Sequence, residues 1–491
     1  MPLLSIITFL PLLGALIILC LDKNDTKAVQ RTGFVASGLA LLASIVLLVM
    51  FDSSRPDIQF VEEFSWIPAL NVHYFLGVDG LSMPLVVLTT LLTVVSLVAS
   101  LSITNRVKEY WFWFLVLETG MIGVFGALDF FLFYVFWEIT LVPMYFLIGI
   151  WGGPKKEYAA VKFFLYTLFG SVFMLLAIIA LYFASEPHTL SILELTAQRN
   201  RFIELGMTFQ MLVFLGFYLA FAIKVPLFPF HTWLPLAHVE APTAVSVILA
   251  GVLLKMGGYG LLRVNLPMFP EATKAALPFL VAIAVINIVY GALCAMAQKD
   301  LKRMVAYSSI NHMGYAMLGI VSLSAAGFNG AVFQFVTHGI ITGALFLLVG
   351  VIYDRTHTRD IDAFGGLASK LPVYAGVMTL ASMASLGLPG LAGFIGEFLC
   401  FLGAFGSWKV AAAISVTGIL VTAAFFLTMI KKVFLGPLNQ QWSGLTDMNT
   451  RELIAVAPLA VLTILLGVYP RLGLDLMNET MTMLANFVRG S

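Results

Sequence analysis

The sequence is a succession of apolar runs, most of them near the roughly 20 residues that an α-helix needs to cross a bilayer core, separated by short segments that hold most of the charge. A chain built this way has few choices. Backbone placed in lipid must satisfy its own hydrogen bonds, which leaves helix bundles and closed β-barrels. The runs are too long for barrel strands and show no period-two alternation. The expected class is therefore an all-α polytopic membrane protein. Composition agrees, with 60% of the 491 residues hydrophobic and 11% charged, where a soluble domain carries roughly 25% charged residues.

Hydropathy places fourteen spans at 2–21, 32–51, 81–102, 110–127, 129–151, 161–184, 206–229, 241–262, 275–297, 304–323, 325–348, 372–404, 410–431 and 453–469. No basic segment of the kind that opens a signal peptide precedes the first run, so it is expected to be retained as a span. Of the 27 Lys and Arg residues, 17 fall in loops after odd-numbered spans and 8 after even-numbered ones. By the positive-inside rule this puts both termini on the outer side. The net charge of +1 gives nothing for nucleic acid to bind. Cys20, Cys294 and Cys400 are far apart without clustered spacing, so neither iron–sulfur ligation nor a disulfide framework is expected.

The two remaining basic residues, Lys224 and Lys255, lie inside spans, as do Glu118, Glu138, Glu397, His312 and His338. An ionised side chain near the bilayer centre costs at least a few kcal/mol. One Glu138–Lys224 salt bridge would pass as structural glue. Five ionisable groups and two histidines over seven spans are poor glue, because desolvation offsets the attraction within each buried pair. A polar axis that moves protons is the better reading. A carboxylate and an ammonium about 4 Å apart interact by roughly 4 kcal/mol at an effective dielectric near 20. That is about three orders of magnitude in proton affinity. Withdrawing Glu138 from Lys224 is then expected to release a proton to Lys255, with His312 and His338 as relays and Glu397 as the exit.

Two spans are interrupted, the seventh by Lys224-Val-Pro226-Leu-Phe-Pro229 and the twelfth by Gly387, Pro389 and Gly390 ahead of Glu397. Proline removes a backbone donor, and broken helices in two halves mark inverted-repeat transporters. The expected organisation is 1–105 for the first three spans, 106–265 and 266–435 for two five-span repeats, and 436–491 for the last span and tail. Other signals carry less. Gly257 to Gly260 lie in an apolar run with no preceding strand, which suits helix packing rather than a nucleotide loop. His231, His238 and Glu240 bracket a loop, but the seven-residue spacing across Pro235 is no standard metal pair; lining a proton inlet fits better. Haem between His312 and His338 is set aside because no arginine falls within the runs to hold its propionates.

Four segments, FWEITLVPMYFLIGIWGG, KVPLFPFHTWLPLAHVEAPTAVSVILAGVLLKMGGYGLLR, KRMVAYSSINHMGYAMLGI and ASLGLPGLAGFIGEF, resemble the antiporter-like, proton-conducting subunits of respiratory complex I, NADH:quinone oxidoreductase. The resemblance covers about residues 75–435 and is closest to the M-type members, which carry a glutamate on the broken twelfth helix where their sisters carry lysine. It implies fourteen helices with two inverted five-helix units. It assigns proton transfer to Glu138 and Lys224 as the input pair, Lys255 as the connector and Glu397 as the output, with His312 and His338 on the central axis and Glu118 and His231 in weaker roles. It also implies a bacterial inner membrane and no cofactor in this chain, with NADH, FMN, iron–sulfur clusters and quinone in other subunits. The implied partners are two related antiporter-like subunits, a lateral helix from a neighbour, and lipids. The rival readings are a subunit of a multisubunit cation/proton antiporter, and a scaffold in which neutralising Glu138 or Lys224 affects assembly alone.

Overall fold

A computed structural model describes residues 2–490. Among them, eleven helices are long and apolar enough to cross a membrane. Helices also occupy the three other expected spans, as Val107–Gly126, Leu301–Val321, and the interrupted pair Pro372–Ser385 and Ala392–Ser407. The first of these carries Lys108, Glu109 and Glu118, and the second contains Ser308, Ser309, Asn311 and His312. Polar residues lower their hydropathy, and both helices lie largely inside the bundle.

Burial is graded from the outside inward. The most apolar 18-residue stretches of Leu3–Cys20 and Thr26–Met50 are only 39% and 33% buried, whereas those of Thr243–Met268 and Ala325–Thr356 are 100% and 94% buried. The outer helices expose Leu13, Leu16, Leu39, Leu42 and Val49, contiguous apolar area that suits lipid and not water. The two innermost helices carry Lys255 and His338. The charges therefore sit where the protein, rather than the bilayer, surrounds them.

Both expected breaks are present, and each is satisfied by side chains or local turns, as backbone at membrane depth requires. Met207–Lys224 stops at the lysine, and the chain resumes as the short helix Trp233–Glu240. Across the gap the Trp233 indole donates to the Ile223 carbonyl at 2.9 Å. Asn287, from the neighbouring helix Pro270–Met296, accepts from Phe228 N at 2.7 Å and donates to the Pro226 carbonyl at 3.0 Å. At the second break, Gly387 and Gly390 take φ values of +79° and +93°, which side chains with a Cβ avoid. The amide of Leu388 returns to the Met383 carbonyl at 3.0 Å.

Elements beyond the expected spans include a hairpin and a tail helix. Strand β1 (Gln59–Ile67) pairs antiparallel with β2 (Val72–Val78), Phe64 opposite Tyr74 and Ser65 opposite His73. Its Glu62 accepts from the amides of Leu4 and Ser5, capping the first helix where the macrodipole favours a carboxylate. The tail forms the amphipathic helix Arg471–Arg489, with Met477, Met481, Ala485 and Val488 buried. Thr480 ties this helix to the hairpin region, accepting from Gly80 N at 3.1 Å and donating to the Pro56 carbonyl at 3.2 Å.

A buried line of ionisable side chains

The helix Thr243–Met268 is not regular. Leu249–Leu253 and Leu261–Asn265 are π-helical turns, a wider winding often found at functional sites. Lys255 follows the first of them, donates from Nζ to the Ala250 carbonyl, and lies 2.7 Å from His338 Nδ1. The ring of His338 is 5.6 Å from that of His312, centroid to centroid. His312 Nδ1 stands 3.1 Å from Glu397 Oε1, and its Nε2 stands 2.9 Å from Ser385 Oγ. Four side chains from four helices thus form one line, and all four are 0–4% exposed. Shielded from bulk water, their charges depend on one another and on the Ala250 carbonyl and Ser385 hydroxyl beside them.

The first half is arranged differently from the expected ion pair. Glu138 and Lys224 form no ion pair within 4 Å, although they interact electrostatically. Lys224 instead points into aromatic faces, 5.2 Å from the Trp137 ring and 5.9 Å from that of Phe163, with Thr140 Oγ1 at 3.5 Å. The cause is helical geometry. Trp137 and Thr140, three residues apart, share the face towards Lys224, and the intervening Glu138 is turned aside. Glu138 is half-buried, and its Oε1 has no hydrogen-bond partner.

Glu118 lies apart from the line, accepting from Ser37 Oγ at 2.6 Å. His231 follows the first break and is buried against Phe228 and Tyr290, with ring centroids 5.7 and 5.2 Å away. Arg263, expected in an outer loop, is inside the helix Thr243–Met268, where its guanidinium meets Asp79 Oδ1 at 2.6 Å. An arginine reads as a loop residue in a hydropathy walk, and its buried partner is invisible there.

Two more residues bear on the site: His238, expected to line a proton inlet, and Lys302, which falls between the expected spans 275–297 and 304–323. His238 is fully buried, stacked 4.5 Å from the Phe346 ring, with neither ring nitrogen hydrogen-bonded. It stands within electrostatic reach of both Lys255 and Lys302. Lys302, expected as a loop end, is 5% exposed and donates to the Ala241 carbonyl. It lines a cavity of about 310 Å³ together with Glu240, Thr243, Asp354 and Arg359. A signal for Lys302 did exist. Asp300 caps the helix through Arg303 N, which places a lysine in a first turn, where the macrodipole disfavours it.

Fold and site together define a polytopic helical membrane protein with broken spans and a buried ionisable axis. A sequence profile described as NADH:quinone oxidoreductase/Mrp antiporter, TM, matches residues 127–424, and the chain belongs to that family. NADH-quinone oxidoreductase subunit M of Rhodobacter capsulatus is 46% identical over 489 residues, covering 97% of this chain and 95% of the relative. NAD(P)H-quinone oxidoreductase chain 4 of Gloeobacter violaceus is 40% identical over 502 residues, with coverage of 99% and 93%. A chain of respiratory complex I from Thermus thermophilus with bound NADH superposes with a TM-score of 0.88 at 33% identity, covering 99% of this chain and 100% of that one. A chain of the Mrp complex from Dietzia shares the fold, with a TM-score of 0.86 at 22% identity and coverage of 99% and 98%.

Proposed function

We propose that this chain conducts protons across a bacterial inner membrane as an antiporter-like subunit of an NADH:quinone oxidoreductase, driven by redox chemistry in other subunits. The observation that carries the reading is the succession of buried side chains from Lys255 through His338 and His312 to Glu397. Each member binds and releases a proton, and each lies within a few ångströms of the next. Near-full-length likeness to subunits M supports the oxidoreductase over a cation/proton antiporter.

In this reading there are fourteen spans, with both termini outside. Residues 106–265 and 266–435 form inverted units whose fourth helices are broken at Lys224 and ahead of Glu397. Lys224 holds its proton in the aromatic faces of Trp137 and Phe163, and Glu138 modulates it from a distance. The cavity beside Lys302 and Glu240, with His238 beyond it, serves as the inlet to Lys255. Glu118 and His231 take supporting roles. FMN, iron–sulfur clusters and quinone belong to other subunits, and the half-buried Glu138 face meets a related subunit. The test is Lys255→Met in inverted membrane vesicles, with NADH-driven quinone reduction and acidification followed together. Loss of both in assembled complex supports the reading, and normal values refute it.

A further inference from the structure

Beyond Lys255 the same helix carries two more polar side chains in register. Lys255, Tyr259 and Arg263 follow one another at four-residue spacing, which places them on one helix face. They lead to the end of the bundle that holds the hairpin and the tail helix, the outer side in the orientation proposed above. Tyr259 is fully buried, and its hydroxyl donates to the Phe125 carbonyl at 3.2 Å. The same oxygen accepts from Arg263 Nε at 3.3 Å, and the guanidinium lies 5.4 Å from the centre of the Tyr259 ring. A second guanidinium nitrogen meets Asp79 Oδ1 at 2.6 Å. Asp79 is 2% exposed and also accepts from the amides of Leu81 and Ser82. The tail helix covers this turn. Thr480 Oγ1 accepts from Gly80 N, and a Cβ added to Gly80 would stand 2.6 Å from the Leu476 carbonyl oxygen, so backbone is packed on backbone there.

We propose that Tyr259, Arg263 and Asp79 form a proton barrier that closes the outer end of the Lys255 helix, so that a proton held on Lys255 has no direct way to the outer side. The inference rests on the proton-conducting function proposed above. A machine that moves protons against a gradient loses its gain if a loaded site is open to both sides at once, so one side has to be shut. A hopping proton needs, at every step, a group that accepts one proton and releases another. Tyr259 has a single hydroxyl proton, and it is committed to the Phe125 carbonyl, which has none of its own to hand on. The next group outward is a guanidinium, which stays protonated in proteins and has no acceptor. The chain of exchange therefore ends at Tyr259. Fixed positive charge in a narrow polar passage also repels an excess proton, and membrane pores use an arginine to that end. Asp79 compensates the buried guanidinium and, held by two amides, fixes it in place.

The test uses proteoliposomes holding the assembled complex without NADH. A potassium diffusion potential drives protons inward, and an enclosed dye reads the pH. Arg263→Gln combined with Asp79→Asn removes both charges together and leaves amides that can hydrogen-bond in their place. Passive proton entry is expected to rise about threefold or more over the parent. Adding Lys255→Met should return it to within about twofold of the parent, because the leak runs through Lys255. Parental proton entry in the assembled double variant overturns the proposal. So does a leak that persists with Lys255→Met, since a merely loosened bundle leaks without regard to that lysine. Both of these results leave the proton-conducting function standing. That function fails separately if Lys255→Met alone reduces quinone and acidifies vesicles at the parental rate. Should the double variant not assemble, a high-resolution electron cryomicroscopy map of the parent complex decides. Dry packing between Lys255 and Asp79 supports the barrier. A continuous file of water density past Arg263, each within about 3.2 Å of the next, refutes it.

Discussion

Lys255 Nζ lies 2.7 Å from His338 Nδ1, although the two residues are 83 positions apart in the chain. A protonated lysine at this distance uses the lone pair on Nδ1, and in the proposed function the histidine is both acceptor and relay. His338→Gln separates these roles, because an amide oxygen still accepts from Lys255 but cannot pass a proton on. The expected outcome is normal assembly on a native gel with turnover and acidification reduced about tenfold or more, the equivalent of at least about 1.4 kcal/mol on the limiting barrier.

The Arg263–Asp79 contact anchors one end of the Lys255 helix. Its side chains are 11% and 2% exposed, and Asp79 also accepts from the amides of Leu81 and Ser82. Asp79→Leu leaves a buried guanidinium uncompensated, which costs about 3–5 kcal/mol. Assembled complex should fall sharply on a native gel. Adding Arg263→Met to Asp79→Leu should recover part of it, since no buried charge is then left alone.

Asn287 closes the first helix break from both sides, accepting from Phe228 N and donating to the Pro226 carbonyl. Asn287→Leu strands a backbone donor in the bilayer interior, at about 1–3 kcal/mol. Lower thermal stability of the complex is expected in a detergent melt, with a smaller drop for Asn287→Asp, which keeps the acceptor.

Lys432 and Asp362 form an exposed contact at 2.6 Å. The hydrogen bond from Lys432 holds the Asp362 carboxyl below its ordinary range. A carboxylate depressed in the folded state stabilises fully above its unfolded value, near pH 3.9, and loses that contribution as pH falls further. The contact is therefore constant between about pH 6 and 8. Asp362→Asn should leave the pH profile of turnover in that window unchanged, and a shifted profile would show that this account of the surface is wrong.

How much of this was legible in the sequence follows from what each signal measures. Hydropathy finds spans because the bilayer demands about 20 apolar residues, and it marks Lys224, Lys255 and Glu397 because charge is costly there. The breaks at Pro226 and Gly387 are local backbone chemistry and read directly. The tail helix Arg471–Arg489 is missed because its apolar residues occupy one face and its mean hydropathy is low. The spacing of Met477, Met481, Ala485 and Val488 would have found it. The hairpin hides because Phe64 and Trp66 are exposed, which spoils the alternation of apolar and polar positions. Pairings are the hardest to read. Opposite charges suggested Glu138 beside Lys224, but the face of the helix selects Trp137 and Thr140 instead, and hydropathy carries no face.

The central claim is that the buried line carries protons, and Lys255 is where it is tested most directly. Inverted membrane vesicles bearing Lys255→Met would be supplied with NADH, with quinone reduction and lumen acidification recorded together and assembly checked on a native gel. The account predicts normal amounts of assembled complex with both activities reduced about tenfold or more. Assembled complex that reduces quinone and acidifies the lumen at the parental rate would contradict it.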